Sequence, residues 1–402
     1  MIYKRKITDI LIKYLKLDEI LVLHGARQVG KTHILYWLKD YLASKGDDVF
    51  YIDLEDSRNR KILDTSVEEF IDLLREEGHA PKTDKKVYVF IDEIQYLKNP
   101  SEFLKLVADH HKNIKLVVSG SSSFEIKSKF KDSLVGRTLN FEIYGLSFEE
   151  FLMFRGFNFE PDIKLTEKKI DELKLMYKEY VLFGSYPKIA LTDATDIKEK
   201  QLQQIIDTYI RKDIRDLANI DNIESFNKLL EVLSSQSGQM VNITELANTC
   251  GLSKQSIEKY LFILEQTYII KLVRPYYGNT RSEISKTPKV FFFDTGLMQM
   301  LWLKSLQKEI IGEVFETSIF SELVKKYKKE DIYYWRTKDG KEIDFILKNK
   351  KSPLPFEVKL NFERFNPRAV NYFCDKYKTD KGGVVAIEGV LKNKSYFYPW
   401  NL

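Results

Sequence analysis

A chain of 402 residues is longer than one hydrophobic core usually serves, so several domains are expected. With 44% hydrophobic and 31% charged residues and a formal net charge of +5 (64 basic against 59 acidic), it reads as an ordinary globular protein whose charge neither demands nor excludes a nucleic-acid partner. Only two cysteines, Cys250 and Cys374, no C-x-x-C spacing and no histidine cluster argue against disulfides and structural zinc, and no apolar run suits a leader or a membrane span, so a cytoplasmic protein without membrane insertion is expected.

The first strong signal is Gly25-Ala26-Arg27-Gln28-Val29-Gly30-Lys31-Thr32, a complete G-x-x-x-x-G-K-T loop. The apolar run Ile20 to Leu23 precedes it and a helix-patterned segment, His33 to Leu38, follows. Strand, loop and helix in this order cradle the phosphates of a nucleotide: backbone N–H groups and the helix dipole face the anion, Lys31 reaches the terminal phosphates, and the Thr32 hydroxyl sits on Mg²⁺. The chain is therefore expected to bind ATP with Mg²⁺.

Residues 1–156 continue as alternating buried strands and amphipathic helices, the pattern of a parallel α/β sheet of the P-loop NTPase kind, with strands expected at Val49–Leu54, Val87–Asp92 and Lys115–Ser119. The second of these ends in Asp92-Glu93, a Walker B arrangement in which the aspartate holds the magnesium ion through water and the glutamate polarises the attacking water. The third runs into Gly120-Ser121-Ser122, where Ser119 or Ser121 is a candidate γ-phosphate sensor, though such a cluster is equally a turn. Arg137, after a basic stretch, is a candidate arginine finger or sensor, acting across a subunit boundary in an assembly or otherwise within its own subunit.

Residues 157–218 read as a charged helical lid with a break at Phe183-Gly184-Ser185-Tyr186-Pro187. Residues 219–284 read as a winged helix: a short helix Ile243–Thr249, a turn at Cys250-Gly251-Leu252, and a second helix capped by Ser253. Ile257, Leu261 and Leu264 point inward, Lys254, Gln255 and Lys259 point outward where a groove of DNA would lie, and Tyr268–Val273 begins a wing. Residues 285–402 read as an α+β nuclease-like domain. Alternation puts Glu342 with Asp344 on one strand face and Glu357 with Lys359 on the next, so that Asp344 and Glu357 can present themselves to a divalent cation beside Lys359, with Glu316 adding a further carboxylate. A charged outer face of a plain hairpin is the alternative.

In combination, Gly25 to Thr32, Asp92-Glu93-Ile94-Gln95, Gly120-Ser121-Ser122, Gly136-Arg137, Phe293-Asp294-Thr295-Gly296-Leu297, Tyr334-Trp335-Arg336, Glu342-Ile343-Asp344-Phe345 and Glu357-Val358-Lys359 resemble the bacterial and archaeal AAA-type ATPases in which a P-loop domain precedes a winged helix and a C-terminal domain similar to restriction endonucleases. The resemblance implies ATP binding and hydrolysis and a D…E-x-K metal site like that of PD-(D/E)-x-K nucleases, with Ile343 standing where those have proline. Two functions follow as expectations: an ATPase that couples hydrolysis to binding or processing DNA or RNA, or an ATPase switch whose C-terminal domains bind a protein partner. Assembly into a homo-oligomer fits either.

Overall fold

The computed structural model describes residues 2–80, 85–120, 134–157, 159, 165–214, 220, 222–277, 287–348, 352–379 and 382–402. The chain forms two compact units, Met1–Tyr144 and Gly145–Leu402.

The first unit is built on a five-stranded parallel sheet in the order β2-β3-β4-β1-β5, with β1 Ile20–His24, β2 Asp48–Asp53, β3 Val87–Asp92, β4 Ile114–Gly120 and β5 Thr138–Glu142. β1 and β4 are buried along their whole length, which is why they read as unbroken apolar runs rather than alternating ones. The three strands expected after the loop lie within a residue of their places. β5 was not expected: five half-buried residues at the sheet edge carry too short a pattern to stand out. Helix α1 Lys6–Tyr14 precedes β1, and α2 Lys31–Ser44, α3 Ser57–Thr65, α4 Val67–Glu76 and α5 Pro100–His110 lie between the strands. On α2 the buried positions Ile34, Leu35, Leu38 and Leu42 keep helical spacing, and Phe70 of α4 meets Phe103 of α5 edge to face at 5.3 Å. Each such side chain taken out of water contributes roughly 1.5–3 kcal/mol. Because β4 lies between β1 and β3, the carboxyl ends of all three are neighbours, and the sheet order reverses there.

The first compact unit ends at Tyr144, ahead of the end at 156 expected for the first domain. A capping box at Ser147 and Glu150 starts the helix Phe148–Phe154, whose Phe148 and Phe151 meet Tyr177 and Tyr180 edge to face within the second unit. The segment expected as a lid on the ATPase core likewise packs inside the second unit. Its helix Glu167–Phe183 buries Tyr177 and Tyr180 against the helix Gly312–Lys326, where Tyr177 bonds Ser318 and Tyr180 donates to Glu322 at 2.5 Å.

The sequence break at Gly184 has a cause. Asp294 caps the helix Thr295–Trp302 by accepting from Leu297 N at 2.9 Å, and its other oxygen accepts from Ser185 N and Oγ at 2.6 and 2.9 Å. Gly184, at φ +85°, lies so close that a Cβ would stand 2.5 Å from that carboxylate, and a Cβ on Gly296 would stand 2.4 Å from the Phe183 carbonyl. Two motifs more than a hundred residues apart are halves of one junction.

Further along, the helices Ile223–Ser235, Ile243–Cys250 and Lys254–Gln266 are followed by β6 Ile270–Val273, antiparallel to β7 Lys289–Phe292. Gly251 makes the turn in the left-handed region (φ 66°, ψ 37°), and Ser253 accepts from Ser256 N as the cap. Ile257, Leu261 and Leu264 are buried while Lys254, Gln255 and Lys259 are exposed, as the spacing required. β7 pairs with β6 across the boundary expected at 284. The last sheet has the order β12-β11-β10-β9-β8, from β8 Ile332–Arg336, β9 Glu342–Lys348, β10 Pro353–Val358, β11 Gly383–Val385 and β12 Tyr396–Phe397. It is mixed: β8, β9 and β10 are antiparallel neighbours, while β11 runs parallel to both β10 and β12.

Candidate functional site

The phosphate loop leaves β1 through a passage only glycine can take. A Cβ on Gly25 would stand 2.0 Å from the Ile143 carbonyl oxygen, because Ile143 N donates to His24 O at 2.7 Å just past β5. Gln28 (φ 62°) and Gly30 (φ 96°) turn the chain back, and Gly30 serves as the N-cap of α2. Lys31, only 5% exposed, folds over the loop and donates to Gly25 O and Ala26 O at 3.1 and 2.8 Å. Thr32 follows in the first turn of α2. Val29 O accepts from buried Arg5 Nη1 at 2.9 Å.

At the end of β3, Asp92 is buried and both of its oxygens accept hydrogen bonds. Oδ2 takes one from the Tyr51 hydroxyl on β2 at 3.1 Å, and Oδ1 takes them from Ser119 Oγ and from Glu93 N at 3.2 Å. The carboxylate nearby and above all burial push the Tyr51 hydroxyl upward, so it remains a donor. Glu93 itself is held in the left-handed region (φ 55°, ψ 50°), a conformation that costs a non-glycine residue about 1 kcal/mol or more, and its Oε2 accepts from Gln95 Nε2. Burial raises the Glu55 carboxyl, Asp53 and Glu93 raise it further, and the Arg27 guanidinium opposes them. The register Leu23 to Ser119 on β1 and β4 places Ser119 between the loop and Asp92. Lys31, Asp92, Glu93 and Ser119 are thus gathered at one sheet edge; Ser121 lies outside the described residues.

Arg137 is elsewhere. It precedes β5, and its carbonyl accepts from Ile20 N, the first residue of β1, at 2.8 Å. Parallel pairing of β1 with β5 puts it at the amino edge of the sheet, a full strand from the loop, where Nε and Nη2 grip Asp109 at 2.7 and 3.1 Å. Within this chain Arg137 is therefore not brought to Lys31, Asp92 and Glu93: order along the chain does not tell which sheet edge a residue occupies.

In the second unit, Asp344 on β9 and Glu357 on β10 do share a face, with Lys359 Nζ 3.7 Å from one and 3.3 Å from the other. Asp344 also accepts from Val358 N at 2.7 Å. Beside them Glu316, on the helix Gly312–Lys326, lies 3.7 Å from Lys289 Nζ of β7, which bonds Glu342 at 2.5 Å. Burial first, then Asp344, pushes the Glu316 carboxyl up to about 8. Burial also raises Glu357, and Asp344 adds to it. The expectation that these carboxylates need a divalent ion to offset their repulsion counted Lys359 alone. Lys289 supplies a second ammonium, and its own proton is held more tightly because Glu316, Asp344 and Glu342 outweigh the effect of burial. Among the described residues, no group of three or more His, Cys, Asp or Glu side chains is placed to hold a metal ion. Nor is any described helix long and apolar enough to cross a membrane.

Comparison with known proteins agrees with this geometry in the first unit. Residues 17–152 match a family model described as "AAA domain", and residues 174–308 and 311–396 match two domains of unknown function, DUF8612 and DUF4143. An uncharacterized protein of Haemophilus influenzae is 26% identical over 373 residues (89% of this chain, 86% of the relative), and one of Methanocaldococcus jannaschii is 29% identical over 347 residues (84% and 74%). Among solved structures, AMPPCP-bound DnaA from Aquifex aeolicus overlaps 64% of this chain and 86% of its own at 15% identity and a TM-score of 0.28, and C. elegans PCH-2 overlaps 65% and 70% at 15% and 0.29. Superpositions at that level carry no functional argument. The loop, the sheet order and the family match give the first unit the α/β fold of a P-loop nucleotide-binding domain, similar to AAA domains.

Proposed function

We propose that the first unit binds ATP with Mg²⁺ and hydrolyses it, and that the second unit uses the resulting change to hold nucleic acid. The observation that carries the first half is the gathering of Lys31, Asp92, Glu93 and Ser119 at one sheet edge. The N–H groups of residues 26–32 and the amino end of α2 would receive the phosphates. The Lys31 ammonium now bonds two neutral carbonyls, which a phosphate oxygen outcompetes because it adds the attraction of a full negative charge to the hydrogen bond. Thr32 and Asp92 suit Mg²⁺, Asp92 through water since both its oxygens already accept; the ion would neutralise charge on the phosphates. Glu93 polarises the attacking water once Gln95 releases it, and Ser119 or Ser121 senses the γ-phosphate.

Support for nucleic-acid binding comes from the winged-helix pattern of residues 223–292, whose exposed Lys254, Gln255 and Lys259 form one face of a helix seated by its buried side. ATP turnover with and without DNA or RNA tests it: stimulation by nucleic acid that is lost in Lys254→Ala with Lys259→Ala supports the reading, and turnover indifferent to both sinks it. The two lysines among Glu316, Glu342, Asp344 and Glu357 favour a second reading of the nuclease-like sheet, as a binding scaffold that does not cleave. Cleavage of DNA by wild type with Mn²⁺, abolished by Asp344→Ala, would overturn that reading.

A further inference from the structure

We infer that Arg5 is a positioning residue for nucleotide binding, which fixes the Val29–Gly30 peptide of the phosphate loop and ties it to the last residue of the first unit. The inference rests on the ATP-binding reading of the same loop.

Arg5 lies twenty residues before the loop in a segment whose composition marks it only as basic, yet its side chain is buried (6% exposed). A buried guanidinium without partners would be costly, and here it bonds backbone carbonyls: Nη1 donates to Val29 O at 2.9 Å and Nη2 to Tyr144 O at 3.1 Å. Its own backbone is fixed as well. Arg5 is the N-cap of α1, and its carbonyl accepts from Thr8 N at 3.0 Å and from the Thr8 hydroxyl at 2.6 Å, with Thr8 fully buried. The side chain therefore leaves from an anchored point.

What it holds matters for the phosphate. In a trans peptide the carbonyl and the following N–H point in opposite directions. Holding Val29 C=O toward Arg5 fixes the Gly30 N–H away from Arg5. Gly30 is where such a peptide could rotate, since at φ 96° it occupies a region that glycine alone enters freely, and glycine keeps the opposite orientation within reach. The other side of Gly30 is already secured, because its carbonyl accepts from Ile34 N at 3.0 Å in the first turn of α2. Arg5 closes the remaining freedom. An N–H preset toward an anion spares the ordering cost at binding, so the effect belongs in affinity rather than in the chemical step.

The second acceptor adds a consequence. Tyr144 is the last residue of the first unit, one residue beyond the Ile143 that constrains Gly25. Arg5 thus grips the phosphate loop and the exit of the chain with one planar group, a fork that lysine cannot reproduce.

The test measures the Kd of a fluorescent ATP analogue, together with KM and kcat for ATP, on full-length wild type, Arg5→Met, Arg5→Lys, Thr8→Val and Lys31→Ala, each checked for folding by circular dichroism. Expected is a rise of tenfold or more in Kd and KM for Arg5→Met with kcat within about threefold, a smaller rise for Arg5→Lys, which can keep one of the two bonds, and about threefold for Thr8→Val, which loosens the anchor and leaves the guanidinium intact. Thr8→Val keeps the question open to measurement if Arg5→Met does not fold. Wild-type Kd in folded Arg5→Met or in Thr8→Val, or a fall in kcat at unchanged KM, would overturn the inference. Wild type that does not bind the analogue would instead overturn the ATP-binding reading, and this inference with it.

Discussion

Replacing Gly25 with alanine should damage the ATPase unit through a single added methyl group. The new Cβ would stand 2.0 Å from Ile143 O, against a closest ordinary approach of 3.0 Å, so loop and strand must part by about 1 Å (3.0 − 2.0). The atom that must give way is backbone, and it cannot swing aside as a side chain would. Parting the two strands breaks the Ile143 N to His24 O bond, worth about 0.5–1.5 kcal/mol, and overpacking adds about 1–3 kcal/mol, so the unit should lose roughly 2–4 kcal/mol. At roughly 2–4 °C per kcal/mol for a unit of this size, its melting point should fall by roughly 5–15 °C. The same displacement moves the loop carrying the phosphate-binding N–H groups, and a shift of about 1 Å commonly costs about a hundredfold in function. Differential scanning calorimetry and ATP titration of the same sample read both effects. A Gly25→Ala protein with wild-type melting and wild-type ATP affinity would refute the claim that this passage is sterically closed.

Tyr51→Phe removes one of the donors to Asp92, so ATP turnover should drop up to about tenfold while nucleotide affinity measured in EDTA stays unchanged; an unaltered rate would mean that Tyr51 does not orient the carboxylate. Asp294→Ala strips buried Ser185 N, Ser185 Oγ and Leu297 N of their acceptor and should destabilise the second unit by about 3–5 kcal/mol in urea unfolding, a value under about 1 kcal/mol contradicting the junction's role. Lys289→Met leaves Glu316 and Glu342 without their ammonium. Its stability deficit should be large at pH 9, above the raised Glu316 value of about 8, and shrink as pH falls through that value, since a protonated carboxyl needs no counter-ion; a deficit independent of pH would contradict the pairing.

What could be read from the sequence was what is chemically local. The phosphate loop is eight consecutive residues between a strand and a helix, and Asp92-Glu93 closes an unbroken apolar run, so both announced themselves. The helix, tight turn and helix around Gly251 did so for the same reason, since cap, left-handed glycine and buried spacing all lie within some twenty residues. Arg5, Tyr51 and Lys289 carried no such mark. Their partners are 24 to 139 residues away in the case of Arg5, and 41 for Tyr51, so their roles exist only once strands are in register. The place of Arg137 is hidden for the converse reason: it follows β4 closely in sequence, yet a parallel strand begins at the far edge of the sheet. Lys289 adds a second ammonium to the electrostatic argument because β7 brings it to Glu316 and Glu342, contacts that no local pattern along the chain announces.

The central claim, that the edge formed by Lys31, Asp92, Glu93 and Ser119 hydrolyses ATP, is met most directly by phosphate release from ATP and Mg²⁺ by wild type and Glu93→Gln at saturating nucleotide. The account predicts steady turnover by wild type and, in Glu93→Gln, retained ATP affinity with turnover lowered at least a hundredfold, because the substitution keeps the side chain's shape and removes the base that polarises water. Turnover by Glu93→Gln at the wild-type rate, or none by a wild type that binds ATP, would contradict it.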